Sequence, residues 1–533
     1  MRNDLLYLRP NIQVEPLFDY WYAWSHLIAP ATAARNLTER HFKIMDSYIN
    51  APQIHANAVK NPKLLGGPFI DYDRNRVDDI RRLRDQTKRE RPHLLELSEA
   101  ISSLDETLRT QAKGFSLQPL YKSVPDILKG YVELVYDLNH NPSFRIIEPL
   151  LYKSRYYDRS AQSLMLSVLT GDDRPFVLST PRLESESLFH LRAPFDDDVV
   201  DELFRLKTHP RSWGEIKEML KAPEESERLV AAFLTPDPPP AYSPYQGNGV
   251  RWRYFGHACV LLETPHTTIL FDPVLSYTYE SDVSRYTYQD LPDSIDYVVI
   301  THNHQDHVLL ETILQIRHKV KHIVTPPSSG GALQDPSLKL ILQNIGCKNV
   351  IELNQMESIE FENGSLTALP FLGEHSDLNI HCKAAHLIRV GNRALLFAAD
   401  SCNLEPRLYE HLHREVGDVD AIFLGMECDG APLSWLYGPL LTKKIERAMD
   451  ESRRLAGSNY DQAIDIVRRF NAKETYVYAM GQEPWLCHIM SLKYTEQSRP
   501  ITESNRLIEE CFRQGHYAER LFGEKEILIE VDR

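Results

Sequence analysis

Thr301-His302-Asn303-His304-Gln305-Asp306-His307 is the stretch on which the reading of this chain turns. It directly follows Asp296 to Ile300, an apolar run of strand character, so a loop here delivers four ligand-type side chains into a cleft. In extended backbone alternate side chains share one face, so His302 and His304 can grip one metal ion together. A turn then redirects the chain. Asp306 and His307 are expected where the next helix begins, in reach of a second ion about 3.5 to 4 Å from the first. Surface histidines are common, but four potential ligands between positions 302 and 307 behind a buried strand point to a metal.

Outward from this loop the chain reads as short β-rich runs broken by turn residues. They are VRWRYF from Val250, ACVLLE from Ala258, TTILFD from Thr267, DYVVIT from Asp296, HIVTP from His322, SLTALPF from Ser365, AAHLIRV from Ala384, RALLFAAD from Arg393 and DAIFLG from Asp420. Helical patterns interrupt them at Val308 to Arg317, Pro406 to Leu412, Leu441 to Glu451 and Tyr460 to Asn471, so the class is α+β.

The pattern His302-x-His304-x-Asp306-His307 resembles the signature of the metallo-β-lactamase superfamily, and Phe255-Gly256-His257-Ala258 with Ile269 to Pro273 resembles that family's early strands. The resemblance covers roughly residues 250 to 490. It implies a four-layer αββα sandwich with metals at one sheet edge. Asp400, at the end of the run Arg393 to Ala399, matches the family's bridging aspartate; a carboxylate between two cations screens their repulsion, whereas the plain alternative at Asp400-Ser401 is a helix N-cap.

The run Ser365 to Phe371 leads into Gly373-Glu374-His375-Ser376, and two candidates stand there. Hydrolases of the superfamily use a histidine at this place, which His375 supplies. Glu374 instead completes, with His302 and His304, the two-histidine, one-carboxylate set that leaves open positions on non-heme iron. The second metal then falls to Asp306, His307 and Asp400, a carboxylate-rich balance that suits iron. Hydrolases also carry a last histidine after a late strand, but Thr475 to Met480 runs into Gly481-Gln482-Glu483-Pro484, with His488 well beyond. Asp272 is expected to orient a ligand histidine through its free ring nitrogen. His257 reads as a supporting histidine, and His381, His386, His411 and His413 as ordinary core or surface residues. Glu427 to Gly438 follows a strand at the edge where ligand-bearing loops gather; Trp435 and Tyr437 there suit an aryl pocket or simple core packing, and Glu427 is a supporting acid.

At 533 residues the chain exceeds one ordinary core, and 42 % hydrophobic with 25 % charged residues is the balance of a globular protein. The first 230 residues carry helical stretches such as Val77 to Leu108 and Asp198 to Leu206, without a chemical motif. The composition shifts at Leu234 to Gly249, rich in proline and glycine, so the expected division is a mainly helical unit at 1–234, a linker at 235–249 and the catalytic sandwich at 250–533. A net charge of −15 argues against a nucleic-acid partner. The one basic stretch, Arg81 to Arg91, is interleaved with Asp78, Asp79, Asp85 and Glu90 at helical spacing and reads as an ion-paired, solvated face. No signal peptide or run of about 18 apolar residues is present, and the seven cysteines form no CxxC pair, so a cytoplasmic protein with reduced thiols and no membrane partner is expected.

The set GHACVLLE, THNHQDHV, FLGEHSDL and LLFAADSC, behind a long helical N-terminal unit, is more narrowly similar to the metallo-β-lactamase-fold diiron β-hydroxylases of the chloramphenicol-biosynthesis type. This resemblance implies a monooxygenase that hydroxylates the β-carbon of an aryl amino acid held as a thioester on a nonribosomal peptide synthetase carrier domain, in antibiotic biosynthesis. It implies two iron ions, oxo- or hydroxo-bridged when oxidised, with His302, His304, Asp306, His307, Glu374 and Asp400 as ligands and with Glu374 and Asp400 central to catalysis. Dioxygen and an external electron donor are implied as co-substrates, and a homodimer through the N-terminal unit. No nicotinamide or flavin fingerprint is present in the chain. Three other readings compete: a dinuclear zinc or manganese hydrolase, a flavodiiron-like reductase, for which no flavodoxin-like phosphate loop is seen, and a non-catalytic binding module.

Overall fold

The structure is a computed structural model and describes residues 5–72 and 74–531; the outer bounds 1 and 533 of the two expected units lie outside the described residues. The β-rich runs form two seven-stranded sheets. The first runs Val350–Glu352, Val320–Thr325, Ile295–Val299, Thr268–Phe271, Cys259–Glu263, Val250–Gly256 and Lys525–Ile529. The second runs Ser358–Phe361, Gly364–Leu369, Ala385–Val390, Arg393–Phe397, Ala421–Gly425, Glu474–Tyr478 and Tyr517–Arg520. Cys259–Glu263 and Ala421–Gly425 are buried at every position, which is why they read as continuous apolar runs without alternation.

Between the sheets, the rings of Phe271 and Phe397 stack at 4.0 Å and those of Phe397 and Phe423 at 4.5 Å, with Trp252 and Tyr476 beside them. Helices Pro406–Val416, Tyr460–Arg469 and Arg499–Arg513 cover the second sheet. Leu310–Ile316 and Leu338–Asn344 cover the first. The C-terminal half is therefore the expected αββα sandwich.

Its first outer layer continues into the N-terminal region. One apolar cluster runs from Trp21, Leu37, Tyr48 and Leu104 through to Leu270, Val298, Ile313 and Ile341. The expected helical run from Val77 is two helices, Val77–Glu90 and Pro92–Gln111, because Pro92 lacks an N–H to continue the ladder and Arg91 leaves helical geometry at φ −119°. The freed Arg91 guanidinium pairs with Asp19 at 2.9 Å and Asp158 at 3.0 Å. On the exposed face Arg81 pairs with Asp78 and Arg82 with Asp79, as the spacing predicts.

Two sheets accompany these helices that local patterning does not announce. One runs Trp21–Tyr22, Ile12–Phe18, Gln162–Val168, Phe189–Leu191, and the other Arg211–Ser212, Leu5–Leu8, Leu234–Thr235. Ile12–Phe18 is buried throughout, its polar Gln13 and Glu15 included, and Pro16 interrupts the run, so the sequence does not mark it as a central strand. Residues 236–249 form no helix or strand, yet Tyr242 bonds Glu263 and the Arg253 guanidinium lies 5.5 Å above its ring, so the segment is pinned to the sandwich. The helix expected over Leu441 to Glu451 is reduced to Arg447–Ser452. Among the described residues no helix is long and apolar enough to cross a membrane.

Candidate metal centre

The strand Ile295–Val299 delivers the loop as expected, but the next helix begins only at Leu310. Asp306 and His307 sit instead in a turn, where His307 and Val308 N–H donate to the His304 carbonyl at 3.1 and 2.8 Å. This turn folds the loop back on itself, bringing the His302 and His307 rings to 4.0 Å between centroids.

The six expected residues converge. His302 Nε2 lies 3.7 Å from Asp400 Oδ2 and 4.0 Å from Glu374 Oε2, and His304 Nδ1 lies 2.9 Å from Glu374 Oε2. His307 Nε2 is 3.1 Å from Asp400 Oδ2 and 3.8 Å from Asp306 Oδ2. Two overlapping clusters result, His302-His304-Glu374 and His302-His307-Asp400, with the candidate ligand atoms of each within 4.8 Å of one another.

Neighbouring groups decide which ring nitrogen each histidine turns inward. Asp272 Oδ2 stands 2.8 Å from His307 Nδ1 and is itself fixed by the Thr301 hydroxyl at 2.6 Å, so His307 offers Nε2. The Tyr437 hydroxyl meets His304 Nε2 at 3.0 Å, leaving Nδ1 free. Thr301 Oγ1 lies 3.0 Å from His302 Nδ1, leaving Nε2. The loops that bear these groups hold left-handed backbone at non-glycine residues: Asp272 (φ 35°), Glu374 (φ 68°) and Ala399 (φ 49°), next to Asp400. Such conformations cost about 1 to 3 kcal/mol each and persist where the surroundings enforce them, commonly at functional sites. Gly425 permits the approach of the neighbouring strand, since a Cβ there would collide with Asp400 Oδ1.

The electrostatics favour cations. Asp306, Glu374 and Asp400 bring three carboxylates into one buried pocket. Burial pushes Glu374 up to about 7, only partly offset by His304. Burial opposes charge on His307 as well, but the carboxylates of Asp272, Asp400 and Asp306 outweigh it and hold the imidazole well above its usual range. His302 is held far below by burial and by His307. His302 Nε2 and Glu374 Oε2 are buried without a satisfied hydrogen bond, although both face the cluster. Buried polar atoms are rarely left so unless a water or an ion is their partner, and several converging on one point favour an ion. Three carboxylates with three imidazoles form a hard, anionic donor set that fits a pair of divalent irons.

The other histidines separate clearly. His375 packs its ring 4.5 Å from that of His304, and its Nδ1 is 3.5 Å from Glu374 Oε2, so it lines the cluster outside both ligand groups. His488 lies elsewhere, its ring 6.1 Å from that of Tyr22 and its pKa driven down by burial, Arg174 and Arg182. His257, read from sequence as a support, stands 3.0 Å from Asp306 Oδ2 and joins a third possible group with Asp306 and His307. His381 and His413 bond Asn379 and Asp418 locally, and buried His386 has its pKa lowered to about 3 by desolvation.

Two further participants differ from the sequence reading, which placed Tyr437 in an aryl pocket or the core and passed over His26. The Tyr437 hydroxyl reaches His304 from 133 positions away. His26, from the N-terminal region, lies 6.2 Å from the Tyr437 ring and has its pKa lowered to about 3 by burial and then by His304. Neither pairing has a local motif. The centre opens onto a cavity of about 390 Å³ that both halves of the chain line, including Leu65, Trp435, Leu436, Leu455 and Met490.

Comparison with known proteins agrees with this geometry. Residues 7–238 match the diiron non-heme β-hydroxylase N-terminal domain, and residues 267–477 match the β-lactamase superfamily domain. The chain is 40% identical over 522 residues to the 4-amino-L-phenylalanyl-[CmlP-peptidyl-carrier-protein] 3-hydroxylase of Streptomyces venezuelae, covering 96% of this chain and 98% of that one. The crystal structure of CmlA, a diiron β-hydroxylase from Streptomyces venezuelae, superposes with a TM-score of 0.93 at 38% identity, covering 99% of this chain and 100% of that one. A mutant of the CmlA β-hydroxylase gives 0.91 at 38% identity, over 98% and 100%. With likeness at this level over both halves, and with a carboxylate where hydrolases place an imidazole, the chain belongs to the diiron non-heme β-hydroxylases.

Proposed function

We propose that this protein hydroxylates the β-carbon of an aromatic aminoacyl group held as a thioester on a carrier domain of a nonribosomal peptide synthetase, in antibiotic biosynthesis. His302, His304 and Glu374 would hold one iron, and Asp306, His307 and Asp400 would hold the other. The observation that carries this reading is Glu374 itself, in the third loop at 2.9 Å from His304 Nδ1 and facing the cavity. The two irons, when bound, supply the reductive dioxygen chemistry that breaks the C–H bond, with electrons from an external donor.

The chain's own residues bind, orient and exclude water. Trp435, Leu436, Leu455 and Met490 offer an apolar wall to an aryl side chain. Lys63 and Arg454, both exposed and both lining the cavity, stand where the phosphate of a carrier's phosphopantetheine arm would enter. Support for a 4-aminophenylalanyl substrate comes from the name of the Streptomyces venezuelae relative. The N-terminal unit, 1–234, joined through 235–249 to the sandwich at 250–533, would form the carrier-facing surface and the contact between two copies.

The test is anaerobic reduction of the iron-loaded protein with a panel of aminoacyl carrier domains, followed by oxygen and intact-mass measurement. A gain of one oxygen atom on an aryl aminoacyl carrier is expected. Thioester cleavage with no mass gain on any carrier would instead point to a hydrolase.

A further inference from the structure

The wall of the metal cavity carries one acid that the metal centre does not use. Glu427 follows the strand Ala421–Gly425 and lines the same cavity as Glu374 and Asp400. Its carboxyl is fixed by two donors: Oε2 accepts the Gly430 N–H at 2.6 Å and Oε1 accepts the Tyr494 hydroxyl at 3.2 Å. Two neutral donors leave a carboxylate about half satisfied, since its oxygens together accept about four hydrogen bonds.

Neither nearby guanidinium pairs with it. Arg454 donates to the backbone carbonyls of Asp429 and Gly430, and Arg499 pairs with Asp429 at 3.4 Å. Among the described residues no lysine, arginine or histidine lies within ion-pair distance of Glu427. Burial, with Asp429 and Asp400 adding negative charge nearby, raises its pKa to about 7, so a positively charged or hydrogen-donating partner would restore its ordinary ionisation.

An acid buried on a cavity wall with two neutral donors and no cation within ion-pair distance among the described residues is a recognition element rather than a stability element, because burying it without a counter-charge is costly. Its position suits a donor group on a molecule whose β-carbon is presented to the irons. Resting on the function proposed above, we propose that Glu427 binds an amino group of the aminoacyl substrate and thereby sets which carriers are hydroxylated. Two amines share this chemistry: the α-ammonium common to aminoacyl thioesters and an amine on the aryl ring.

Three carriers separate them, bearing 4-aminophenylalanyl, phenylalanyl, or 3-(4-aminophenyl)propanoyl, which lacks the α-amine. With the diiron protein, kcat/KM for gain of one oxygen is expected to fall tenfold or more when the recognised amine is removed, and the carrier that suffers identifies it. Glu427→Gln should shrink that difference at least fivefold while iron per chain and the visible spectrum stay as in the parent. If Glu427→Gln does not fold, Glu427→Asp, which retracts the carboxyl by one methylene, should shrink it likewise. Equal turnover of all three carriers by the parent overturns the inference and leaves the proposed function standing, as does a preference that survives both variants. Loss of iron in a folded Glu427→Gln protein also overturns it, by assigning the acid to the metal centre. Hydroxylation of none of the carriers by the parent overturns the proposed function and this inference with it.

Discussion

The backbone N–H of Gly481 donates to Nδ1 of His257 across 3.2 Å. A ring nitrogen that accepts a hydrogen bond carries no proton, so in the neutral imidazole the proton sits on Nε2, aimed at Asp306 Oδ2 3.0 Å away. His257 is therefore placed to orient Asp306, with its proton directed at the carboxylate. The loop after Glu474–Tyr478, which carries a ligand histidine in hydrolases of this fold, here contributes a backbone donor that sets a tautomer.

His257→Ala should lower retention of the iron beside Asp306 by about 10- to 100-fold, the usual range for a lost supporting bond to a metal ligand. His257→Gln, which keeps a donor, should recover most of it. Iron per chain after graded chelator treatment measures both, and unchanged retention in the alanine variant would falsify the supporting role.

Gly425→Ala places a methyl group against Asp400 Oδ1. The carboxylate proposed as an iron ligand should be displaced, so the expected result is loss of more than half the iron while the folded chain keeps near-parental circular dichroism. A variant that binds the full complement of iron would show that Asp400 has room to move.

Lys63→Ala and Arg454→Ala remove exposed cations from the cavity lining. Each should raise KM for a carrier-bound substrate several-fold with little change in kcat, and the loss should be smaller at high salt because the interaction is screened. An aminoacyl pantetheine lacking the phosphate should be indifferent to both changes, and a drop in kcat alone would place these residues in a different role.

Glu15 is buried between Arg182, at 2.9 Å, and Arg174, at 2.7 Å, and Arg174 also pairs with Glu311 at 2.8 Å on the helix that follows the metal loop. Burial opposes its charge, but the two guanidinium groups prevail and bring its pKa down to about 2. A depressed carboxylate pKa stabilises the fold fully above the unfolded value near 4.5, and this contribution is lost as pH falls toward 2. Glu15→Gln should cost about 3 to 5 kcal/mol at neutral pH, since it leaves buried arginines short of a partner. Denaturant melts at pH 7 and pH 3 test this, and the variant should lose less of its remaining stability than the parent on acidification.

The metal loop was legible because its chemistry is local: His302, His304, Asp306 and His307 sit on one short segment behind one apolar strand. Glu374 and Asp400 were legible for a related reason, as both terminate β-rich runs. What escaped was long-range. Lys525–Ile529 pairs with Val250–Gly256 across most of the catalytic half, and Ile12–Phe18 pairs with Gln162–Val168, and no local periodicity encodes such partners. The turn at Asp306 in place of a helix start, and the hydroxyl of Tyr437 on His304, likewise depend on tertiary packing.

The apolar cluster that passes without a break from Trp21 and Leu104 into Leu270 and Ile341 bears on how this catalyst can be dissected. Cutting the chain near Gly249 to obtain a minimal enzyme would strip the outer face of one sheet and leave greasy surface where helices once lay, an invitation to aggregation. It would also remove His26 and Leu65 from beside the reaction chamber. Engineering efforts on this scaffold should therefore treat the leading half as part of the reactor wall, to be exchanged with its matching sandwich or not at all.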